Sequence, residues 1–231
     1  MQKDLERQGV FIMAFDPKTN IVTIAIGEKA KKENELLKKT VFQTLEIDKK
    51  NWITLDKPKS YGIIEPPITA LLSFDLQHYS DMQLSRIVKT NLINLIPDHW
   101  THCIYLDSDT RILSSDFFRI FDILSDGYDL VICPSTSQDY WHIDAEEKDF
   151  SFNKLLYQPL QLQGGMFGFT VNDKIRDFFK HFSNGYMLYY NQDQLALIRA
   201  LHECDIKYWL LGYPFNSDKG SVMKHMFGNT R

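Results

Sequence analysis

The stretch SRIVKTNLINLIPDHWTHCIYLDSDTRIL, residues 85–113, decides the fold. It continues a helical pattern that starts at Asp81, with Leu84, Ile87, Val88, Leu92 and Leu95 on one face. Ile96-Pro97-Asp98 stops that helix, because proline has no backbone donor and disfavours helix before it. Cys103 to Leu106 then forms a short, wholly apolar run, the pattern of a strand covered on both faces. Asp107-Ser108-Asp109-Thr110 follows at once. Ser115-Asp116 reads as the cap of a helix over Phe117–Leu124, Asp126-Gly127 as a turn, and Leu130–Cys133 as another buried strand. Helix, strand, helix, strand at this spacing predicts an α/β fold with a mostly parallel central sheet flanked by helices.

The rest of the chain extends that unit. Val10–Phe15 reads as a strand, Asp16 to Asn20 as a turn and Ile21–Ile26 as a second strand. The pair is either a hairpin, or Ile21–Ile26 opens the parallel sheet. Glu28–Leu45 is helical, with Leu36, Leu37, Val41 and Leu45 near one face. A strand is expected near Trp52–Leu55, and the proline-broken remainder of 47–80 reads as a loop or flap. Residues 134–158 lack a period and read as a long loop, in which Tyr140, Trp141 and His142 are candidates to touch an acceptor. Gly164, Gly165 and Gly168 lie among apolar residues. Ile175–Phe182 and Gln194–Cys204 are two more helices, and the aromatic run Tyr186–Tyr190 reads as core. No internal repeat or linker appears, so residues 1–231 are expected to form one domain.

Composition narrows the function. The 231 residues are 44% hydrophobic and 13% aromatic, enough for a substantial core. A net charge of −4 gives no general drive towards nucleic acid or an anionic membrane. Cys103, Cys133 and Cys204 are odd in number and form no CxxC pair. They read as free thiols in a reducing compartment. The charged N-terminus does not resemble a signal peptide, and no apolar run is long enough to cross a bilayer. A cytoplasmic protein is the expectation.

Two aspartates one residue apart at a strand end can aim at one divalent cation, Mn²⁺ or Mg²⁺, which in turn bridges diphosphate oxygens. With 21 aspartates in the chain, about two such triplets are expected by chance, so position and not the triplet carries the argument.

In that position the chain resembles the GT-A (Rossmann-like) glycosyltransferases, particularly the retaining, family 8-like group of glycogenin and the bacterial galactosyltransferases. There a helix with Arg and Lys precedes a strand ending in Leu-Asp-x-Asp-Thr, matched by Arg86, Lys89, Leu106, Asp107, Asp109 and Thr110. LQGGMFGF, residues 162–169, resembles the segment lining the sugar pocket, with Gln163 and Gly164 where Asn or Ser is commoner. NQDQLAL, residues 191–197, resembles the Asp-Gln motif near the anomeric carbon, through Asp193 and Gln194. HMFGNTR, residues 225–231, resembles the closing His-x-x-Gly-x-x-Lys/Arg motif through His225, Gly228 and Arg231. The resemblance implies a metal site of Asp107, Asp109 and His225. It implies donor contacts from Arg86, Lys89, Asp107, Ser108, Asp109, Gly164, Gly165, Gly228 and Arg231, and catalytic roles for Asp193 and Gln194. The implied donor is a nucleotide-diphosphate sugar, a UDP-sugar first, and the implied reaction is transfer to an acceptor hydroxyl with retention.

Plainer roles stand beside these. Arg86 and Lys89 share a helix face that need only be solvated, the glycines suit a bulge or turn, and Asp193 and Gln194 suit a helix cap. A lone histidine is more often structural, and His78, His99, His102, His142, His181 and His202 show no metal-ligand spacing. Two other functions compete: a nucleotide-sugar-binding protein without turnover, and a haloacid-dehalogenase-like phosphatase. The phosphatase motif also opens Leu-Asp-x-Asp, but near the N-terminus and without a cation at the position of Arg111.

Overall fold

The computed structural model describes residues 20–56, 79–137, 144–155, 159–190 and 192–227. The expected strand at Val10–Phe15, the turn at Asp16, most of the 47–80 stretch, His78, Tyr140, Trp141, His142, Gly228 and Arg231 lie outside the described residues.

Among the described residues the strands are β1 (Ile21–Ile24), β2 (Trp52–Leu55), β3 (His102–Asp107), β4 (Thr110–Ile112), β5 (Leu130–Pro134), β6 (Leu162–Thr170), β7 (Tyr208–Leu210) and β8 (Met223–His225). The helices are α1 (Glu28–Thr44), α2 (Asp81–Thr90), α3 (Arg119–Ser125), α4 (Ala145–Leu155), α5 (Asp173–Met187) and α6 (Asp193–Glu203). The main sheet has the order β2-β1-β3-β6-β5-β7. Five strands run one way, and β6 runs against them between β3 and β5. Ile21–Ile24 is thus a parallel strand, paired with both β2 and β3.

Alternation along the strands builds a core on each face. Cys103 and Tyr105 face α2, α5 and α6, together with Val22, Ile132 and Phe167. Ile104 and Leu106 face α1 and α3, with Val41, Phe117 and Ile120. Helices on both faces explain the unbroken apolar run in β3. Asp107 follows Tyr105 by two residues, so it shares the α2/α6 face.

α2 starts on a capping box. The Ser80 hydroxyl accepts from the Gln83 amide at 3.3 Å, and the Gln83 side chain accepts from the Ser80 amide at 3.0 Å. Such a cap is worth about 1 kcal/mol and fixes where the helix begins. Asn91 then ties the end of α2 to α5 by donating to Ser183 at 3.1 Å.

Three expectations need correction. Residues 134–158 are not all loop, because α4 occupies Ala145–Leu155. Its apolar residues are few, and its buried positions include Glu147 and Ser151, which hid its period. The helix expected at Phe117–Leu124 is a 3₁₀ turn, Ser115–Phe118, capped by Ser114, that leads into α3. The segment after the DxD triplet is itself a strand: β4 pairs antiparallel with β8 in a two-stranded ribbon. No helix of the described residues is long and apolar enough to cross a membrane.

Candidate active site

The carboxyl ends of β1 and β3, the start of β6, the start of α6 and the β4–β8 ribbon surround one cavity of about 700 Å³. Every candidate residue among the described ones lines it: Arg86, Lys89, Asp107, Ser108 and Asp109, then Gly164, Gly165, Asp193, Gln194 and His225. The sheet explains this convergence. Because β6 is antiparallel, its early residues lie beyond the carboxyl end of β3, with Met166 opposite Leu106. Thr110 pairs with His225 in the ribbon, and the Met226 amide donates to the Asp109 carbonyl at 3.1 Å, so residues about 115 positions apart meet.

One half of the site is a set of metal-type ligands. His225 Nε2 is 3.3 Å from Asp109 Oδ1 and 3.9 Å from Asp107 Oδ2. One ligand atom from each of the three lies within 4.8 Å of the others. His225 Nδ1 is 3.1 Å from Asn216 Oδ1. With the amide oxygen as acceptor, the ring proton sits on Nδ1 and the Nε2 lone pair faces the carboxylates. The two carboxylates and the ring nitrogen converge on one point, where a cation would be attracted. Ligands of one small cation stand about 3–4 Å apart, so these spacings fit a divalent ion. Asn216 fixes the ring from behind, and Phe227 stacks on it with centroids 4.3 Å apart.

The other half is an ion cluster. Lys89 Nζ lies 2.9 Å from Asp193 Oδ2 and 3.1 Å from Asp107 Oδ1, and Arg86 Nε is 3.9 Å from Asp193 Oδ1. Lys89 is therefore not on a solvated face. Burial alone would lower its pKa, but Asp107 and Asp193 outweigh burial and leave it raised. Burial would raise the Asp193 carboxyl, but Lys89 and then Arg86 hold it below its ordinary value. Tyr105 donates a short hydrogen bond to Asp107. Its own phenol is pushed well up, by burial first and by the Asp107 charge second. Asp193 is not a cap: the N-cap of α6 is Gln192, without a side-chain cap bond, and the Asp193 carboxylate points to Lys89.

The glycines serve both meanings read in the sequence. Pairing of β5 with β6 jumps from Ile132 opposite Phe167 to Cys133 opposite Gln163, leaving Gly164, Gly165 and Met166 without a partner on β5. A bulge bends the strand towards the cavity. A Cβ on Gly165 would fall 2.0 Å from His225 Cε1, and one on Gly164 would fall 3.2 Å from Asp193 Oδ2. At 165 only glycine leaves room for the His225 ring as it stands, whereas at 164 an added Cβ would press on Asp193.

Other contributors carried little signal in the sequence. Gln161 Nε2 donates to Gln194 Oε1 at 3.3 Å, and Gln194 Nε2 to Gln163 Oε1 at 3.4 Å, a chain of amides along one wall. Tyr105 was readable only through its two-residue spacing from Asp107. Nothing near Asn216 marks it. Arg111 is committed to Glu33 on α1 and to the Ser108 carbonyl, which it reaches at 3.1 Å, so it braces the turn that carries the aspartates.

No family model matches the chain, and no curated protein sequence matches it significantly. Solved structures do. The bifunctional glycosyltransferase WbbM is 11% identical with a TM-score of 0.64, over 93% of this chain and 46% of its own. Mouse xyloside xylosyltransferase 1 is 7% identical with a TM-score of 0.60, over 92% of this chain and 99% of its own. The galactosyltransferase LgtC, in complex with donor and acceptor sugar analogues, is 15% identical with a TM-score of 0.53, over 89% of this chain and 86% of its own. At such identities the likeness is one of architecture: the chain has the GT-A fold of these glycosyltransferases.

Proposed function

We propose that this protein is a metal-dependent glycosyltransferase that moves a sugar from a nucleotide-diphosphate sugar, a UDP-sugar first, to an acceptor hydroxyl. The observation that carries the reading is the convergence of Asp107, Asp109 and His225 ligand atoms at the strand ends, beside a cavity that also holds Lys89, Arg86 and Asp193. Bound there, Mn²⁺ or Mg²⁺ supplies Lewis-acid neutralisation of a leaving diphosphate. Asp107, Asp109 and His225 would hold it, with Asn216 setting the His225 ring. Lys89 touches both Asp107 and Asp193, and would add positive charge beside a bound phosphate. The Gly164–Gly165 bulge brings backbone close to the sugar, and the resemblance of the closing motif assigns Gly228 and Arg231 to the diphosphate. Asp193 and Gln194 sit at the anomeric end, where Asp193 orients a sugar hydroxyl and stabilises positive charge at the anomeric carbon.

Retention is part of the proposal, and the charges at Asp193 support it. Inversion needs a basic carboxylate to take the acceptor proton. Among the described residues lining the cavity the only carboxylates are Asp107, Asp109 and Asp193. The first two face the cation site, and Asp193 is paired to Lys89 and held below its ordinary pKa, which makes it a weak base.

Nucleotide-sugar turnover, read as release of nucleoside diphosphate with and without Mn²⁺, tests the reading. Release that needs the metal and disappears in Asp109→Ala is the expected result. Metal-independent release, or full activity in Asp109→Ala, overturns it. Binding without turnover establishes the non-catalytic alternative instead, and phosphate release from simple esters establishes the phosphatase.

A further inference from the structure

A second group of donor atoms lies far from the cavity, at the other end of α6. Asp177 and His181 stand one turn apart on α5, and Cys204 follows the last residue of α6. One ligand atom from each lies within 4.8 Å of the others. His181 Nδ1 is 2.6 Å from Glu203 Oε2, so that nitrogen carries the ring proton and donates it to the carboxylate. The other ring nitrogen, Nε2, lies 3.8 Å from Asp177 Oδ2. Cys204 Sγ lies 3.8 Å from that same oxygen. Nitrogen, oxygen and sulfur thus face one point. Two ligands on a tetrahedral ion with bonds of about 2.0–2.3 Å stand about 3.3–3.8 Å apart; the two separations to Asp177 Oδ2 are both 3.8 Å, and the three atoms lie within 4.8 Å of one another. A histidine whose second nitrogen is held by a carboxylate is the usual supporting arrangement of a protein-bound transition metal. Asp177 is exposed and the other two are half-buried, so an ion reaches the site from solvent.

We propose that Asp177, His181 and Cys204 bind one divalent cation of the Zn²⁺ class, with Glu203 positioning His181 and water as the fourth ligand. The mixed sulfur, nitrogen and oxygen set selects Zn²⁺ or Co²⁺ over Mg²⁺, unlike the set at Asp107, Asp109 and His225. On binding, the metal–sulfur bond forms, the Cys204 S–H bond breaks and its proton leaves to solvent, with no change of oxidation state. The ion fastens α5 to the end of α6, the helix whose first residue is Asp193, so the site is a staple behind the cavity wall.

Cobalt separates the two sites, because only thiolate ligation gives an intense sulfur-to-Co²⁺ charge-transfer absorption. Cys103 and Cys133 are buried in the sheet, so that absorption reports Cys204. The full chain is stripped with chelator, checked for its circular dichroism and titrated with Co²⁺. We expect the absorption to saturate at one equivalent in Asp109→Ala, where the cavity site is weakened, to be displaced by Zn²⁺, and to be lost in Cys204→Ser and His181→Ala. Glu203→Gln weakens Co²⁺ binding about 10-fold or more while keeping the absorption. Zn²⁺ raises the thermal midpoint of the wild-type chain more than that of Cys204→Ser. No absorption in the folded wild-type chain, or its survival in Cys204→Ser, overturns the site. An equal thermal rise in both overturns the staple. Nucleotide-sugar turnover in Cys204→Ser keeps this test independent of the transferase reading.

Discussion

Two buried ion clusters hang on α6, and they are built for different ends. At its first residue, Asp193 meets Lys89 and Arg86 at the wall of an open cavity. Two turns later, Arg199 meets Glu147 and Ser151 of α4 and donates to the Gly185 carbonyl of α5 at 2.9 Å, with side chains only 3% and 1% exposed at Arg199 and Glu147. In the sealed cluster one carboxylate oxygen, Glu147 Oε2, has no hydrogen-bond partner, and burial pushes the carboxyl up to about 6 although Arg199 pulls it down. In the open cluster two cations drive the carboxyl the other way. The sealed cluster locks three helices together. The open one holds charge in reserve where a ligand can exchange partners with it.

The largest effect belongs to the sealed cluster. Glu147→Ala leaves Arg199 buried without its carboxylate, and chemical denaturation should show a loss of about 3–5 kcal/mol. An unchanged midpoint would mean that the pair is not sealed. Asp109→Asn should act on chemistry alone: metal-dependent turnover falls about 100- to 1000-fold, while thermal stability hardly moves. A matching loss of stability would erase the distinction between the two regions. Gly165→Ala forces His225 aside and should weaken Mn²⁺ binding, measured calorimetrically, about 10- to 100-fold.

The smallest effects are in pH. Asp193 has a depressed folded pKa, so its contribution is complete above 3.8 and is lost as pH falls through the folded value. Glu147 has a raised one, so its contribution is present below 4.5 and is lost as pH rises through about 6. Comparing wild type with Glu147→Gln across that window should show a difference in stability that changes by on the order of 1–2 kcal/mol. A flat difference would show that Glu147 does not titrate in the folded chain.

Legibility followed the range of the interactions. β3 and the start of the helix before it were readable because each announces itself within a dozen residues, by an apolar run or an apolar stripe; the helix was expected to reach Leu95, but it ends at Thr90 and a 3₁₀ turn, Leu92–Asn94, carries the last of the stripe. The same local logic placed β1, β2, α1 and α6 within a residue or two. α4 escaped because its buried face is polar: Glu147 and Ser151 are buried for Arg199, a residue about fifty positions away. β4 and β8 escaped because three-residue strands carry no period, and each exists only through the other.

The sequence by itself determined the helices and buried strands, the position of Asp107 and Asp109 at a strand end, and an ordered set of candidates from Arg86 to His225. Those follow from local hydrophobic pattern and turn chemistry. The tertiary structure decided the rest. It inserted β6 antiparallel beside β3, which carried the glycines beyond the aspartates. It paired Thr110 with His225, turned Lys89 inward between two acids, and brought Asp177, His181 and Cys204 together, with Glu203 behind the His181 ring. Strand order and helix packing bring together groups that no local spacing encodes, and ion pairs and ligand sets depend on distance in space.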